Sequence, residues 1–251
     1  MSWSPAAPVG YAHRGYSLAG AENSLAAFQA AVDLGYRHLE TDVRVTRDHL
    51  PLAFHDDRLD RVTNHTGRLR DLDWRQVSEA RILGREPIPL LTEVLDTFSD
   101  CVLNIDVKSD AAIGPTLDAI RRTRSWGRVR LAAFSHSRLL ALRQAAGPAV
   151  AASLSPVEIV SLKYGRYRPD RRWRYGGADL AAQVPAGVGE LHLITSRFVE
   201  HAHAAGVAVH AWTVNRRSEM VRLLDLGVDA IITDRADLLR ELLIERGHWP
   251  P

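Results

Sequence analysis

Glu40 and Asp42 stand two residues apart in His38-Leu39-Glu40-Thr41-Asp42-Val43, and Asn104, Asp106 and Lys108 keep the same spacing in Leu103-Asn104-Ile105-Asp106-Val107-Lys108. On an extended chain a period of two sends such residues to one face. Charge on the inward face of an apolar strand is costly unless it is paired or binds a metal. One such strand alone reads equally well as a buried ion-pair cluster. Two of them, joined by His13-Arg14 at the end of one apolar run and His55 after another, favour a site. The chemistry in reach is proton transfer by histidines, whose unperturbed pKa lies near neutrality.

The elements that must position these residues alternate along the chain. Strand-like runs cover Val9–His13, Arg37–Val43, Val102–Lys108, Val129–Phe134, Ala149–Leu154, Ala178–Val184, Val207–Val214 and Ala230–Thr233. Helical spacing falls between them: Leu25, Phe28 and Val32 mark a helix over Ser24–Leu34 that stops at Gly35. Glu200–Ala205 before Gly206 and Arg217–Leu226 before Gly227 repeat the pattern, and Pro156–Lys163 reads as a fifth helix. Strands alternating with helices predict parallel βαβ units, and eight in a chain of 251 residues fit a closed (β/α)₈ TIM barrel better than an open sheet.

One stretch breaks the rhythm. Between Val43 and Val102 there is too much chain for a single helix, and Arg44-Val45-Thr46, a polar turn, and Leu52-Ala53-Phe54 read as a hairpin. A small insertion subdomain after strand 2, over about residues 56–88, is expected on the C-terminal face where barrels build active sites. The expected organisation is a flexible tail over residues 1–8 and a single domain over 9–251.

Composition sets the outer limits. With 32 Lys+Arg against 30 Asp+Glu the formal charge is only +2, which gives no support for a nucleic-acid partner or a stable membrane anchor. No stretch has the roughly 18 consecutive apolar residues of a spanning helix, and the first residues lack a basic and apolar leader. Cys101 is the single cysteine and lies in an apolar run, so it reads as a small buried hydrophobe. A cytoplasmic location is the expectation; nothing in the sequence specifies an oligomer.

Taken in order, Ala12-His13-Arg14-Gly15, Glu22-Asn23-Ser24, Glu40-Thr41-Asp42-Val43 and His55-Asp56 resemble the glycerophosphodiester phosphodiesterase family. The resemblance continues through Leu59, Arg61, Thr63 and Gly67, Ile88-Pro89 with Glu93-Val94-Leu95, the strand Asn104–Lys108, Ala211–Asn215 and Thr233–Asp237. It implies a TIM barrel with an insertion after strand 2, dependence on a divalent metal, and hydrolysis of a small-molecule glycerophosphodiester to glycerol 3-phosphate and an alcohol.

Carried over by position, the resemblance makes Glu40, Asp42 and Asp106 metal ligands, His13 and His55 the catalytic acid–base pair, and Arg14, Lys108 and Trp212 substrate-binding residues. Three carboxylates without a cysteine or histidine cluster select a hard cation, Mg²⁺ or Ca²⁺. His13 is assigned as base and His55 as acid; the nucleophile is water or a neighbouring glycerol hydroxyl. Asp106 replaces the family's usual Glu, Ala21 its Pro and Ser24 its Thr. Asn23 or Ser24 can cap the following helix, with capping the favoured role for Asn23, and Glu22 is expected to support Arg14.

The remaining features have simpler readings. His201 and His203, two apart on a helix, point to different faces and do not make a metal pair. The segment from Arg166 to Tyr175 mixes Arg with aromatics and reads as a solvated loop or subunit contact away from the site. Leu59, Val62, Leu69, Leu72, Trp74 and Val77 either form an apolar groove, as lysophospholipase D-type hydrolysis of longer-chain phosphodiesters would need, or pack a small core of their own. A non-catalytic phosphodiester-binding barrel is the rival outside enzymology, and it has no use for two histidines.

Overall fold

The computed structural model describes residues 7–17, 20–168, 179–188 and 191–249. Eight parallel strands form its centre: β1 (Val9–His13), β2 (His38–Val45), β3 (Val102–Val107), β4 (Val129–Ala132), β5 (Ala151–Ser153), β6 (Leu180–Pro185), β7 (Ala208–Trp212) and β8 (Ala230–Thr233). Each pairs with its neighbour in sequence, and β1 pairs with both β8 and β2, so the sheet closes into a barrel. Helices α1 (Leu25–Asp33), α2 (Leu91–Thr97), α3 (Ile113–Arg122), α4 (His136–Ala146), α5 (Pro156–Lys163), α6 (Ser196–Ala204), α7 (Arg217–Asp225) and α8 (Ala236–Glu245) each follow the strand of the same number.

The strands read as apolar runs because their outer face is sealed by these helices. Phe28 of α1 lies in one buried cluster with Leu39, Leu103 and Leu131, and Leu239 of α8 in another with Val209 and Ile231, all essentially inaccessible to solvent. Local chemistry sets the helix starts. Ser24 Oγ accepts from Ala27 N at the head of α1, and α5 begins with Pro156 behind a Ser155–Glu158 capping box. Helix α6 starts a turn earlier than the apolar spacing predicts, because Thr195 Oγ1 accepts from Phe198 N and caps it there.

The interior of the barrel is polar in layers. Tyr11 meets His38 and His210 edge-on or tilted at 5.0 and 5.6 Å, and Arg130 of β4 pairs with Asp179. Above them Gln183 donates to Asn104 at 2.7 Å, which floors the cavity at the C-terminal ends of the strands.

The hairpin after β2 is formed by Pro51–Ala53 running antiparallel to Val43–Val45. The chain beyond it has its own cluster, in which Leu59, Val62, Leu69 and Val77 are buried and against which Leu72 and Trp74 pack. These six residues therefore serve local packing and none lines the cavity. Strand β4 stops at Ala132 instead of reaching Phe134, whose side chain is left 58% exposed at the cavity. Ala178, the expected start of β6, and the 169–175 part of the Arg-rich segment lie outside the described residues; of the rest, Arg166 and Arg168 are exposed and Tyr167 is buried. Among the described residues no helix is long and apolar enough to cross a membrane.

Candidate active site

Parallel register builds the acidic wall. In the β2–β3 pairing Glu40 lies opposite Asn104 and Asp42 opposite Asp106, while the β1–β2 pairing sets His13 beside Glu40. All of them border one cavity, together with Arg14, His55, Lys108 and Trp212, so the eight residues expected to form the site are brought together. Lys108, just past the end of β3, places Nζ 2.7 Å from Asp42 Oδ1 and 2.5 Å from Asp106 Oδ2. Arg14 places Nε 2.8 Å from Asp42 Oδ2 and donates from Nη1 to Glu22 at 3.0 Å.

The turn carrying Arg14 is tight. Arg14 and Gly15 both have positive φ, 56° and 84°, and a Cβ on Gly15 would lie 2.5 Å from the backbone carbon of Ala27. Only glycine lets the turn sit so close to α1. Asn23, also at positive φ, does not cap α1; Ser24 does. The Asn23 amide instead donates to Asp42 Oδ2 at 3.2 Å, and its carbonyl accepts from Thr41 Oγ1 at 2.8 Å. Capping is a local preference, and here a buried carboxylate on the neighbouring strand β2 takes the side chain.

Each histidine is held by a carboxylate. His13 Nδ1 is 2.6 Å from Asp234 Oδ1, and Asp234 is itself fixed by Asn215 Nδ2 at 2.7 Å. His55 Nδ1 is 2.6 Å from Asp56 Oδ1. Beyond Asp56, Arg61 bonds both Asp56 and Glu22, so the contacts continue to Arg14.

The electrostatics follow from burial and partner. Burial works against the charged form of His13, yet Glu40, at 3.8 Å, and the Asp234 hydrogen bond outweigh it and hold the imidazole above its ordinary pKa. Burial, then the Asp42 charge, pushes Glu40 well above the usual carboxylate range. Burial pulls Asp42 the same way, but Lys108 and Arg14 overcome it and keep Asp42 low. Among the described residues no three His, Cys, Asp or Glu side chains form a ready-made cation cage; Lys108 and Arg14 stand among the carboxylates.

The opposite wall is apolar, with Leu154, Pro156 and Ile159 beside Trp212 and Phe134. Those two rings meet edge-to-face at 5.3 Å, and Lys108 Nζ lies 5.7 Å from the Phe134 ring.

Comparisons with known proteins give the chain a family. Residues 13–238 match the glycerophosphoryl diester phosphodiesterase family. A Mycobacterium tuberculosis protein named probable glycerophosphodiester phosphodiesterase 2 is 40% identical over 96% of this chain and 92% of its own length. The chain belongs to this family. Its enzyme class is accordingly glycerophosphodiester phosphodiesterase. A Caldanaerobacter subterraneus glycerophosphodiester phosphodiesterase is 30% identical over 94% of this chain and 98% of its own. The solved structure of an Oleispira antarctica phosphodiesterase, in complex with the product sn-glycerol-3-phosphate, superposes with a TM-score of 0.76. It is 21% identical and covers 95% of this chain and 97% of its own, which establishes the shared barrel.

In this glycerophosphodiester phosphodiesterase several neighbours of the site have no assignment from the spacing of residues. Asp234 and Asn215 stand beside His13 because β8 closes against β1. Their signal is a polar pair at the C-terminal ends of the last two strands. Asp56 follows His55 directly, and that adjacency was the available clue. Phe134 carries no signal beyond its place at a strand end. His201 contacts the Lys163 carbonyl and His203 contacts Asp229, on separate sides of α6 and away from the cavity. Cys101 is buried in the core.

Proposed function

We propose that this chain hydrolyses small glycerophosphodiesters to glycerol 3-phosphate and an alcohol, with His13 as general base and His55 as general acid. One observation carries the reading: both imidazoles border a single cavity with Arg14, Lys108 and three inward carboxylates, and each Nδ1 is held by a carboxylate. A carboxylate only accepts, so Nδ1 keeps its proton and Nε2 is the nitrogen that exchanges one with substrate. His13 takes the proton of the attacking oxygen as that oxygen bonds to phosphorus. The phosphorus–oxygen bond to the alcohol then breaks, and His55 protonates the departing oxygen. Attack by water yields glycerol 3-phosphate directly, whereas attack by the adjacent glycerol hydroxyl yields a cyclic phosphate that a water molecule then opens to glycerol 3-phosphate.

Attack concentrates negative charge on the phosphoryl oxygens, and fixed donors stabilise it. Arg14 supplies a guanidinium held in place by Asp42 and Glu22. Lys108 has three N–H groups; two face Asp42 and Asp106, leaving the third for a phosphate oxygen. Trp212 and Phe134 form the surface against which the organic part of the substrate lies.

Glu40, Asp42 and Asp106 are the residues that would hold a divalent cation. Asp106 Oδ1 is buried with no hydrogen-bond partner, Glu40 is buried beside a second carboxylate, and an all-oxygen set suits Mg²⁺ or Ca²⁺. When bound there, such an ion supplies Lewis-acid neutralisation of phosphoryl charge. The product bound by the Oleispira antarctica phosphodiesterase supports glycerol 3-phosphate as the retained half. The apolar wall favours a second reading, lysophospholipids, whose acyl chain would extend over Phe134 and Trp212.

Turnover of glycerophosphocholine, glycerophosphoethanolamine and a lysophospholipid, each with Mg²⁺, Ca²⁺ or EDTA, tests the proposal. Small diesters are expected to turn over with metal and not in EDTA, and His13→Ala or His55→Ala to lower kcat by about 10²–10⁴-fold. Preference for the lysophospholipid would establish the second reading. Metal binding without turnover of any of the three would leave a binding barrel.

A further inference from the structure

Arg61 belongs to the insertion, yet its guanidinium spans two carboxylates that both lead into the site. Nη2 donates to Glu22 Oε1 at 2.6 Å and Nη1 to Oε2 at 3.2 Å. On its other edge Nε donates to Asp56 Oδ2 at 2.6 Å, and Nη2 lies 3.1 Å from Oδ1. Asp56 Oδ1 also holds His55 Nδ1, and Glu22 Oε1 also holds Arg14 Nη1. One planar fork thus stands behind both the general acid and the phosphate-gripping arginine.

We infer that Arg61 is a positioning residue for the reaction, setting His55 and Arg14 in a fixed relation through Asp56 and Glu22. The inference rests on the roles proposed above for those two residues. The simpler alternative is a surface ion pair that only ties the insertion to the loop before α1, and exposed pairs of that kind have little effect. Three features separate Arg61 from such a pair. Both contacts are two-pronged, a geometry that fixes direction as well as distance. Glu22 and Asp56 are each only 21% exposed, whereas the guanidinium they share comes from a side chain 48% exposed. Each carboxylate spends an oxygen on a residue of the site, so moving it moves that residue.

Without Arg61 the two carboxylates lose their common counter-ion and repel each other. Asp56 then turns from His55 Nδ1, and Arg14 keeps only its contact with Asp42. Function should therefore respond by two routes: through His55 in kcat, and through Arg14 in KM and in the part of kcat that its stabilisation of phosphoryl charge supplies.

The test is a double-mutant cycle on the intact metal-loaded enzyme, assayed with glycerophosphocholine. Arg61→Ala is expected to lower kcat about 10-fold or more, as loss of an orienting partner does, and to raise KM. In the His55→Ala background the same change should cost distinctly less in kcat, because the route through His55 has already been removed and only the one through Arg14 remains. Guanidinium in the buffer should restore part of the Arg61→Ala loss, and Arg61→Lys should recover only part of kcat because an ammonium cannot fork across both carboxylates. Equal losses in both backgrounds, a wild-type kcat in Arg61→Ala, or full recovery by lysine would overturn the inference. A wild-type kcat in His55→Ala is a separate outcome: it removes His55 from the mechanism, and the positioning role falls with it. Thermal melting of Arg61→Ala and Arg61→Lys shows whether either loss is merely of fold.

Discussion

His13 Nδ1 lies 2.6 Å from Asp234 Oδ1 although 221 residues separate them. The contact exists because β1 and β8 are neighbours in the closed barrel, Ala12 pairing with Thr233. It fixes which nitrogen of His13 faces the site, and Asn215 fixes Asp234 in turn. Asp234→Asn keeps the size of the side chain but removes the charge and allows the amide to present a donor to the ring. Part of the acid–base contribution should be lost, about 10- to 100-fold in kcat with little change in melting temperature. Steady-state kinetics beside a thermal melt decide it; an unchanged kcat would make the contact structural only.

Lys108 is the shared counter-ion of Asp42 and Asp106, with its side chain only 15% exposed. Removing one partner of a buried ion cluster leaves uncompensated charge, so Lys108→Met should destabilise the metal-free protein by about 3 kcal/mol. In a chain of this size that corresponds to about 6–12 °C in melting temperature. Melting in EDTA reads the loss. Added Mg²⁺ or Ca²⁺ should raise the variant's melting temperature more than the wild type's; equal increments would argue that these carboxylates do not hold the ion.

Gly15 allows the His13–Arg14 turn to approach α1. In Gly15→Ala the new methyl would meet the Ala27 backbone at 2.5 Å and impose a positive φ on alanine. The expected cost is about 1–3 kcal/mol of stability, together with weaker substrate binding as Arg14 shifts. Urea denaturation measures the first and KM the second. A stability equal to wild type would show that α1 yields easily.

The hydrogen bonds from Arg61, assisted against burial by His55, hold Asp56 down to about 2. A folded-state pKa below the unfolded value of about 3.9 means stabilisation that is fully present above that value and lost as pH falls toward 2. Carboxyl NMR titration of Arg61→Ala should show Asp56 moving upward toward the ordinary value. Denaturation midpoints of wild type and variant should converge between about pH 4 and pH 2. An Asp56 that titrates identically in both proteins would show that Arg61 does not hold its charge.

Much of this site is legible in the one-dimensional pattern, and the reason is geometric. Extended chain alternates its side chains, so Glu40 with Asp42, and Asn104 with Asp106, must share a face whatever the fold around them. Strands bounded by helical spacing and turn glycines then lead to a parallel barrel, and to polar groups at its C-terminal ends. What local spacing does not specify is which charge meets which. That depends on barrel closure and strand register, and on the insertion folding back. The bond of His13 to Asp234, the bridge of Lys108 between strands β2 and β3, and the fork of Arg61 all arise there. Asn23 shows the difference at one residue. Its sequence context favours a helix cap, but the tertiary structure brings a buried Asp42 within 3.2 Å, and a carboxylate shielded from water needs that donor more than a helix end already capped by Ser24. Sequence alone determined the strands, their inward faces and the types of group on them; closure of the barrel decided their partners, because pairing between charges is set by distances that only the folded chain creates.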